Sequence, residues 1–337
     1  LRFRARLSGG ATGSHDTAHP GRARTGKTAM TLTSESKTTV RASSPRRDLH
    51  AEITNRIIAA IEADPGKPQM PWRRSSTPLW MPENALSKNA YNGINVVNLW
   101  VAAEARGFTS PVWATYKQWT ELGAQVRKGA KSELVIFYKE FDVDPTPDDA
   151  GDDGKRRVAR ASYVFNAAEV DGFDIPDAPA RLGPIARIEA ADHFITSTKA
   201  TIAHGGERAY YRPSVDAIQM PDEHLFTGTD TMSRDESYYA VLLHELTHWT
   251  MHKDRCNRDL EPRFKRQAYA AEELVAEIGS AMLCSETGVT QDTRADHAQY
   301  IANWLELLKD DPKAIFTAAA KASQAVAFLK SLQSRDA

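Results

Sequence analysis

The sequence is poor in cysteine, in long apolar runs and in net charge, and each shortage excludes a class of protein. Its 337 residues include only two cysteines, Cys256 and Cys284, which form neither a C-x-x-C pair nor a disulfide framework and favour a reducing, cytoplasmic location. No run of about 18 apolar residues is present, so we expect no membrane span, and residues 1–30 lack the apolar segment of a secretory signal. The 43 basic and 44 acidic residues nearly cancel, so any nucleic-acid binding must be argued from local clusters.

Residues 1–45 are rich in Gly, Ser, Thr, Ala and Arg and nearly free of large apolar side chains, which predicts a disordered tail. Within this tail, the stretch from Gly21 to Thr28 satisfies the phosphate-binding pattern G-x-x-x-x-G-K-[ST]. That loop requires a buried strand before it and a helix after it, and the flanking "GSHDTAHP" and "AMTLTSES" supply neither. We therefore expect no nucleotide site there.

Two segments with different patterns of predicted secondary structure follow the tail. In 46–175, the helical periodicity of "DLHAEITNRIIAAIEAD" and "GINVVNLWVAAEARGF" is joined by strand-like "SELVIFYKEFDV" and "ARASYVFNAAEV", with the acidic loop "DPTPDDAGDDGKRR" between the strands. The segment 185–333 is mostly helical and contains two short candidate strands, "RAYY" and "DAIQM". The predicted fold class is α+β, with two domains after the tail.

The stretch "YYAVLLHELTHW" contains the pattern H-E-x-x-H at His244 to His248, within a largely apolar helix. Residues four apart share one face of a helix, so His244 and His248 can bind one ion. Glu245, rotated by about 100 degrees from His244, would lie beside that ion and act as the general base in a hydrolysis. Burial of these three polar residues without partners would be costly, which favours a Zn²⁺ site over a chance pattern.

A catalytic zinc ion needs a third protein ligand and an open position. Asp254 follows the second histidine at a spacing used by some zinc enzymes, but Met251 stands where the chain would need a turn glycine. The later helix "AAEELVAEIGS" offers Glu273 and Glu277 on one face. We predict Glu273 as the ligand and Glu277 as the carboxylate that hydrogen-bonds to a ligating histidine, with Glu272 as the main competitor.

The substrate of such a site would be an extended protein or peptide chain that pairs with an edge strand. The segment "AYYRPSVDAIQMP" is the candidate for that edge. Within it, Tyr210 or Tyr211 is a candidate to stabilise the oxyanion, with core packing as the competing role.

Aromatic and basic residues are interleaved in the first segment, which holds five of the seven tryptophans. The clusters are "MPWRRSS", "WATYKQW" and "VRKGAKSELVIFYKE". Bases of single-stranded nucleic acid stack on aromatic rings while Arg and Lys follow the phosphates. Core packing is the alternative for these rings, and Trp100 lies within the apolar stripe of its helix.

Several segments, in this order, resemble the ArdC-type antirestriction proteins of conjugative plasmids. They include "PWRR", "NAYNGINVVNLW", "YVFNAAEVDG", "HGGERAYYRPSVDAIQMP", "YYAVLLHELTHWTMHKDR" and "YAAEELVAEIGSAMLC". The resemblance implies a single-stranded-DNA-binding domain at 46–175 and a zincin-like metallopeptidase domain at 185–333. It also implies protection of incoming plasmid DNA from host restriction, without naming a peptide substrate.

The expected protein is therefore a single-stranded-DNA-binding module joined to a zinc-dependent peptidase domain, with His244, His248 and Glu273 as ligands and Glu245 as the base. One alternative is a non-catalytic DNA-coating protein whose zinc site is structural or vestigial; another is a DNA-responsive protease that cleaves a regulatory protein. The candidate DNA-binding residues are Trp72, Arg73, Arg74, Tyr91, Asn92, Trp113, Tyr116, Lys117, Arg127, Lys128 and Lys131.

Overall fold

The structure is a computed structural model that describes residues 47–63, 70–71, 79–142, 155–176, 184–228, 232–289 and 297–333. The chain from Arg47 onward forms one compact unit. The tail predicted at 1–45, with its Gly21–Thr28 pattern, and most of the acidic loop lie outside the described residues.

The described chain contains nine α-helices, and several of their ends carry recognisable caps. The carboxylate of Asp48 caps the first helix by accepting from the backbone N–H groups of residues 50 and 51, at 3.0 and 3.1 Å. Gly107 ends the second helix in the left-handed conformation, at φ 65°. The helices are α1 (Leu49–Ile61), α2 (Ile94–Arg106), α3 (Tyr116–Glu121), α4 (Pro184–Ser197), α5 (Arg234–Trp249), α6 (Glu261–Phe264), α7 (Ala268–Thr287), α8 (His297–Asp310) and α9 (Ala314–Ser331).

The described strands form three small sheets. They are β1 (Glu83–Asn84), β2 (Val112–Thr115), β3 (Gln125–Val126), β4 (Glu133–Asp142), β5 (Lys155–Asn166), β6 (Val170–Asp171), β7 (Thr201–His204), β8 (Tyr210–Arg212) and β9 (Ala217–Met220). The sheet orders are β1-β2-β5-β4, β3-β6 and β7-β9-β8. The strand predictions for "SELVIFYKEFDV", "ARASYVFNAAEV", "RAYY" and "DAIQM" are confirmed by β4, β5, β8 and β9, whereas the short strands β1, β2, β3, β6 and β7 were not predicted.

Strand β4 lies at the edge of the first sheet, and α2 covers part of that edge with amide side chains. Asn95 both donates to the carbonyl of Ile136 and accepts from its N–H, each at 2.8 Å. Asn98 donates to the carbonyl of Leu134 at 2.7 Å. These side chains satisfy backbone groups that an unpaired edge would leave exposed, so a helix replaces a further strand here.

A common apolar core joins the two parts of the chain that the sequence separates near position 175. Its buried side chains run from Ile53 in α1 to Leu329 in α9. Thr54 Oγ1 in α1 donates to the carbonyl of Pro312, just before α9, at 2.6 Å. The boundaries 46–175 and 185–333 therefore describe the organisation of the sequence. That each segment folds as a separate unit stays a prediction.

The predicted α+β class is confirmed, because helices and strands both contribute to the described chain. Among the described residues, no helix combines the length and the apolar character needed to cross a bilayer.

Candidate metal centre

Helix α5 carries the H-E-x-x-H motif and begins with a capping box. Ser233 Oγ accepts from the N–H of Glu236, and the Glu236 carboxylate accepts from the N–H of Ser233, both at 3.1 Å. This end is therefore fixed, and the helix runs into the core. His244, Glu245 and His248 are only 8%, 6% and 9% exposed.

Helix α7 packs along α5 because many of its residues are small, as "AYAAEELVAEIGSAMLC" shows. One polar contact across this interface is a hydrogen bond from Ser280 Oγ to the carbonyl of Ala240, at 3.2 Å. The close approach brings the buried carboxylate of Glu273 to the two motif histidines.

His244, His248 and Glu273 form a compact group of donor atoms. Glu273 Oε2 lies 3.5 Å from His244 Nε2, and Glu273 Oε1 lies 3.6 Å from His248 Nε2. One donor atom from each of the three residues lies within 4.8 Å of the other two. Two imidazole nitrogens and one carboxylate oxygen are a usual ligand set for a catalytic zinc ion with an open position, so the donors fit a divalent cation.

The carboxylate that contacts the Nδ1 side of the His248 ring belongs to Glu272. Glu272 Oε1 lies 3.1 Å from His248 Nδ1, which leaves Nε2 facing Glu273. Glu272, which competed with Glu273 as the predicted ligand, therefore occupies this place at His248. Glu277 is fully buried, and its predicted hydrogen bond to a ligating histidine stays a prediction. Arg258 in turn holds Glu272, with Nε 2.7 Å from Oε2 and Nη2 2.6 Å from Oε1.

The electrostatics of this group favour a positive charge at its centre. Burial opposes protonation of His248, but hydrogen bonds to Glu272 and Glu273 outweigh that cost and raise the pKa of the imidazole to about 10. Burial likewise acts to raise the pKa of Glu273, but the hydrogen bonds from His244 and His248 hold it well below its usual range. The carboxylates thus stabilise a cation between them, which is what a metal site requires.

A cleft of about 900 Å³ opens over the three donor residues. Glu245 lines this cleft beside them, as the general-base prediction requires. Aromatic side chains form much of the remaining wall: Tyr210, Tyr211, Phe226, Tyr269, Tyr300 and Trp304. The volume suits a segment of polypeptide or another ligand of similar size.

The two tyrosines of the predicted substrate edge both line the cleft, on β8, which pairs with β9 along one side. The Tyr211 hydroxyl donates to Asp216 Oδ1 at 2.8 Å, and the Tyr210 hydroxyl accepts from Arg212 at the same distance. Asp254, the rejected ligand, is 73% exposed and lies 3.5 Å from His252.

Part of the predicted DNA-binding set lines one surface groove in the first half of the chain. The groove measures about 710 Å³ and is lined by Tyr116, Arg127 and Lys128, together with Phe165 and Asp171. The Tyr116 ring is 52% exposed, as a stacking platform must be. Arg127 is partly engaged already, because its guanidinium contacts Asp171 at 3.3 Å.

The other candidates divide into three groups. Asn92, Lys117 and Lys131 are exposed outside that groove, and Trp72, Arg73 and Arg74 lie outside the described residues. Tyr91 and Trp113 are only 6% and 1% exposed, so the expectation that their rings stack on bases is wrong in this conformation. Both rings fill the apolar core, the role that competes for any large aromatic residue.

Sequence reasoning missed Arg258, Tyr269 and the aromatic residues of α8. Tyr269 precedes Glu273 by four residues and therefore shares its helical face, a spacing that could have placed it in the cleft. Arg258 lies in the irregular segment "DRCNRDL", where no periodicity indicates which side chains are buried.

The two halves of the chain match two family models. Residues 47–167 match the N-terminal domain of anti-restriction factor ArdC, and residues 189–321 match a zincin-like metallopeptidase. The second half thus has a zincin-like domain, and the helix that carries the histidines lies within the matched residues.

Curated relatives and solved structures extend the similarity to most of the chain. The chain is 44% identical to the uncharacterized protein y4eC of Sinorhizobium fredii (strain NBRC 101917 / NGR234), over 88% of its own length and 96% of that protein. It is 35% identical to the DNA primase TraC of Escherichia coli, over 86% of its own length but only 28% of the primase. The antirestriction ArdC protein from the R388 plasmid is 38% identical, with a TM-score of 0.68 for the metal-free structure, which covers 85% of this chain and 98% of that one.

The Mn(II)-bound structure of the same ArdC protein has a TM-score of 0.67, with 86% of this chain and 100% of that one covered. The chain belongs to the ArdC family of antirestriction proteins. The zincin-like domain and the Mn(II)-bound relative indicate a divalent-metal site, as the three donor residues do independently.

Proposed function

We propose that this protein protects incoming conjugative DNA from host restriction by binding it as a single strand, and that it carries a zinc-dependent peptidase centre. The observation that carries the peptidase part is the group formed by His244, His248 and Glu273, at the floor of a cleft that also holds Glu245. Membership of the ArdC family and the groove beside Tyr116 support the DNA-binding part.

In this proposal, His244, His248 and Glu273 hold the zinc ion. When bound there, the ion would supply a Lewis acid for the activation of water and for polarisation of the scissile carbonyl. Glu245 takes the proton from the attacking water and delivers it to the leaving amine. The open side of β8 orients the substrate, because an extended peptide can add to a sheet edge through backbone hydrogen bonds.

The DNA strand lies along the groove near β3, with a base stacked on Tyr116 and phosphates near Lys128. This arrangement needs no sequence readout, since every base offers a ring face and every nucleotide a phosphate. Protection would follow because a strand covered by protein cannot pair to form the duplex site that a restriction enzyme needs.

The experiment is plasmid transfer into a restricting host, with two classes of variant compared side by side. Glu245→Gln removes the base and keeps the size of the side chain, whereas Tyr116→Ala with Lys128→Ala removes the groove contacts. Loss of protection in the groove variant supports the DNA-binding role. Its full retention, with the variant protein present at normal levels, would reject it.

The same assay separates the peptidase role from DNA coating. Loss of protection in Glu245→Gln makes proteolysis part of antirestriction, and retained protection assigns antirestriction to coating alone. Hydrolysis of an unstructured protein substrate by the purified wild type, absent in Glu245→Gln, tests the peptidase centre itself.

A further inference from the structure

A short segment after α5, from Thr250 to Arg258, folds back on itself and places two arginine side chains inside the protein; we refer to it as the brace segment. The N–H of Cys256 donates to the carbonyl of Thr250, and the N–H of Arg258 donates to the carbonyl of Met251, both at 3.0 Å. The side chains of Arg255 and Arg258 are only 9% and 0% exposed. The turn is therefore ordered by its own backbone and by two buried cations.

The guanidinium of Arg258 uses each of its three nitrogens. Nε and Nη2 form a two-pronged contact with Glu272, at 2.7 and 2.6 Å. Nη1 donates to Thr250 Oγ1 and Nη2 also donates to the carbonyl of Thr247, both at 3.0 Å. A fully buried cation is tolerated only with partners of this kind, so the position of Arg258 and that of the Glu272 carboxylate determine each other.

Glu272, held in place by Arg258, also contacts one of the candidate metal ligands. The oxygen that accepts from Arg258 Nη2 also lies 3.1 Å from His248 Nδ1. When an ion is bound at Nε2, a carboxylate at the other nitrogen keeps the proton on Nδ1 and fixes the ring plane, so that Nε2 is directed at the site.

We propose that Arg258 is a positioning residue of the metal centre, which acts by holding Glu272 against His248. This inference rests on the proposed metal site, because it assigns a role towards an ion that His244, His248 and Glu273 would hold. Arg258 itself is not among the residues that line the cleft. Its effect is to present His248 in one tautomer and one orientation.

Arg255 provides a matched control within the same segment. Its Nη1 and Nη2 contact Asp216 at 2.9 and 2.5 Å, and its guanidinium lies 3.7 Å from the centre of the Trp249 ring. It thus ties the brace segment to the turn between β8 and β9, and not to α7. Loss of Arg255 should disturb the cleft edge and leave the metal ligands in place.

The test is calorimetric titration of zinc into protein freed of metal by a chelator. The proteins are the wild type, Arg258→Met, Arg258→Lys and Arg255→Met. We expect Arg258→Met to weaken zinc binding by about 10- to 100-fold, the usual effect of losing support behind a ligating histidine. Arg258→Lys should recover part of that loss, because an ammonium supplies the charge without the fork. Arg255→Met should leave the dissociation constant unchanged.

A double variant and a spectroscopic measurement distinguish disruption of the fold from loss of His248 positioning. Arg258→Met alone leaves the Glu272 charge buried without its partner, so Arg258→Met combined with Glu272→Leu removes both charges and should fold. In the zinc-loaded wild type, nitrogen-15 spectra should show His248 protonated at Nδ1 only. In the folded double variant they should show a changed tautomer signal, together with weakened zinc binding.

The outcomes separate this inference from the proposed function. A wild type that binds no zinc rejects the metal centre and this role together. If the wild type binds zinc and the folded Arg258 variants bind it with the same affinity, the role of Arg258 is overturned and the metal centre stands. An equal loss of affinity in Arg255→Met would also overturn it, since the effect would then belong to the whole segment.

Discussion

Gly279 of α7 lies directly against Thr247 of α5, within the H-E-x-x-H motif. A Cβ atom placed on Gly279 would lie 2.5 Å from Thr247 Cγ2, a distance that real side chains do not adopt. The absence of a side chain at 279 thus sets how closely the two helices approach, and that approach brings Glu273 to His244 and His248.

We therefore expect Gly279→Ala to destabilise the protein by about 1–3 kcal/mol, because overpacking outweighs the better helix propensity of alanine. Its zinc affinity should also fall, since α7 has to move away from α5. Urea unfolding and zinc titration measure the two effects. Adding Thr247→Ala removes the clashing methyl group and should restore part of both losses; a double variant no better than Gly279→Ala would contradict the steric explanation.

Single-stranded DNA should bind through the groove beside β3. Tyr116→Ala is expected to cost about 1–3 kcal/mol of binding free energy through lost stacking. Lys128→Ala should weaken binding to all sequences alike and reduce the salt dependence by about one charge. Fluorescence anisotropy with a labelled oligonucleotide at several salt concentrations measures both.

Lys253→Ala is the control for that experiment, because Lys253 is exposed in the other half of the chain. It should leave DNA affinity unchanged. Equal losses in Lys253→Ala and Lys128→Ala would mean that DNA responds to overall charge and not to the groove.

The contact between Asp216 and Arg255 should make part of the stability depend on pH. The hydrogen bonds from Arg255 lower the pKa of Asp216 in the folded protein, against the opposing effect of burial. A lowered pKa contributes stability above the unfolded value of about 3.9, and that contribution is lost as the pH falls through the folded value.

Asp216→Asn should accordingly destabilise the protein at pH 7 by at most about 1 kcal/mol, because Asp216 is 39% exposed and solvent screens the pair. The difference from wild type should shrink below about pH 4. Urea unfolding at neutral and acidic pH tests this, and a deficit that is the same at every pH would rule out the ionic contribution.

The parts of the chain before and after position 175 should unfold together. Their shared core is joined by polar contacts such as the hydrogen bond from the N–H of Gly93 to Ser323 Oγ, at 2.9 Å. Calorimetry should show one unfolding transition for the chain from Arg47 onward, with matching calorimetric and van't Hoff enthalpies. Two separated transitions would show that the two domains are thermodynamically independent.

The sequence predicts those parts of the metal centre that depend on a single helix. His244 and His248 share a face because they are four residues apart in α5, and that requires no knowledge of any other element. The match of "SELVIFYKEFDV" to β4 has the same origin, since alternation and β-branched residues act locally.

What could not be predicted depends on the relative placement of elements. Which carboxylate of α7 lies at His248 Nδ1 depends on the rotation of α7 against α5, and the periodicity of a single helix does not determine that rotation. Tyr91 lies in a segment that looks equally suited to a surface or a core, and only tertiary packing places its ring inside. Arg258 lies in an irregular turn, and its carboxylate partner, Glu272, is on a helix that follows later in the chain.

The central claim is that His244, His248 and Glu273 form one metal centre, and zinc stoichiometry tests it most directly. The measurement is elemental analysis and zinc titration of the wild type, Glu273→Gln and the control Glu261→Gln, an exposed residue on the wall of the same cleft. We predict one zinc ion per chain in the wild type and in Glu261→Gln, and loss of stoichiometric binding in Glu273→Gln. A wild type that binds no zinc, or a Glu273→Gln protein that binds it as the wild type does, would contradict the claim.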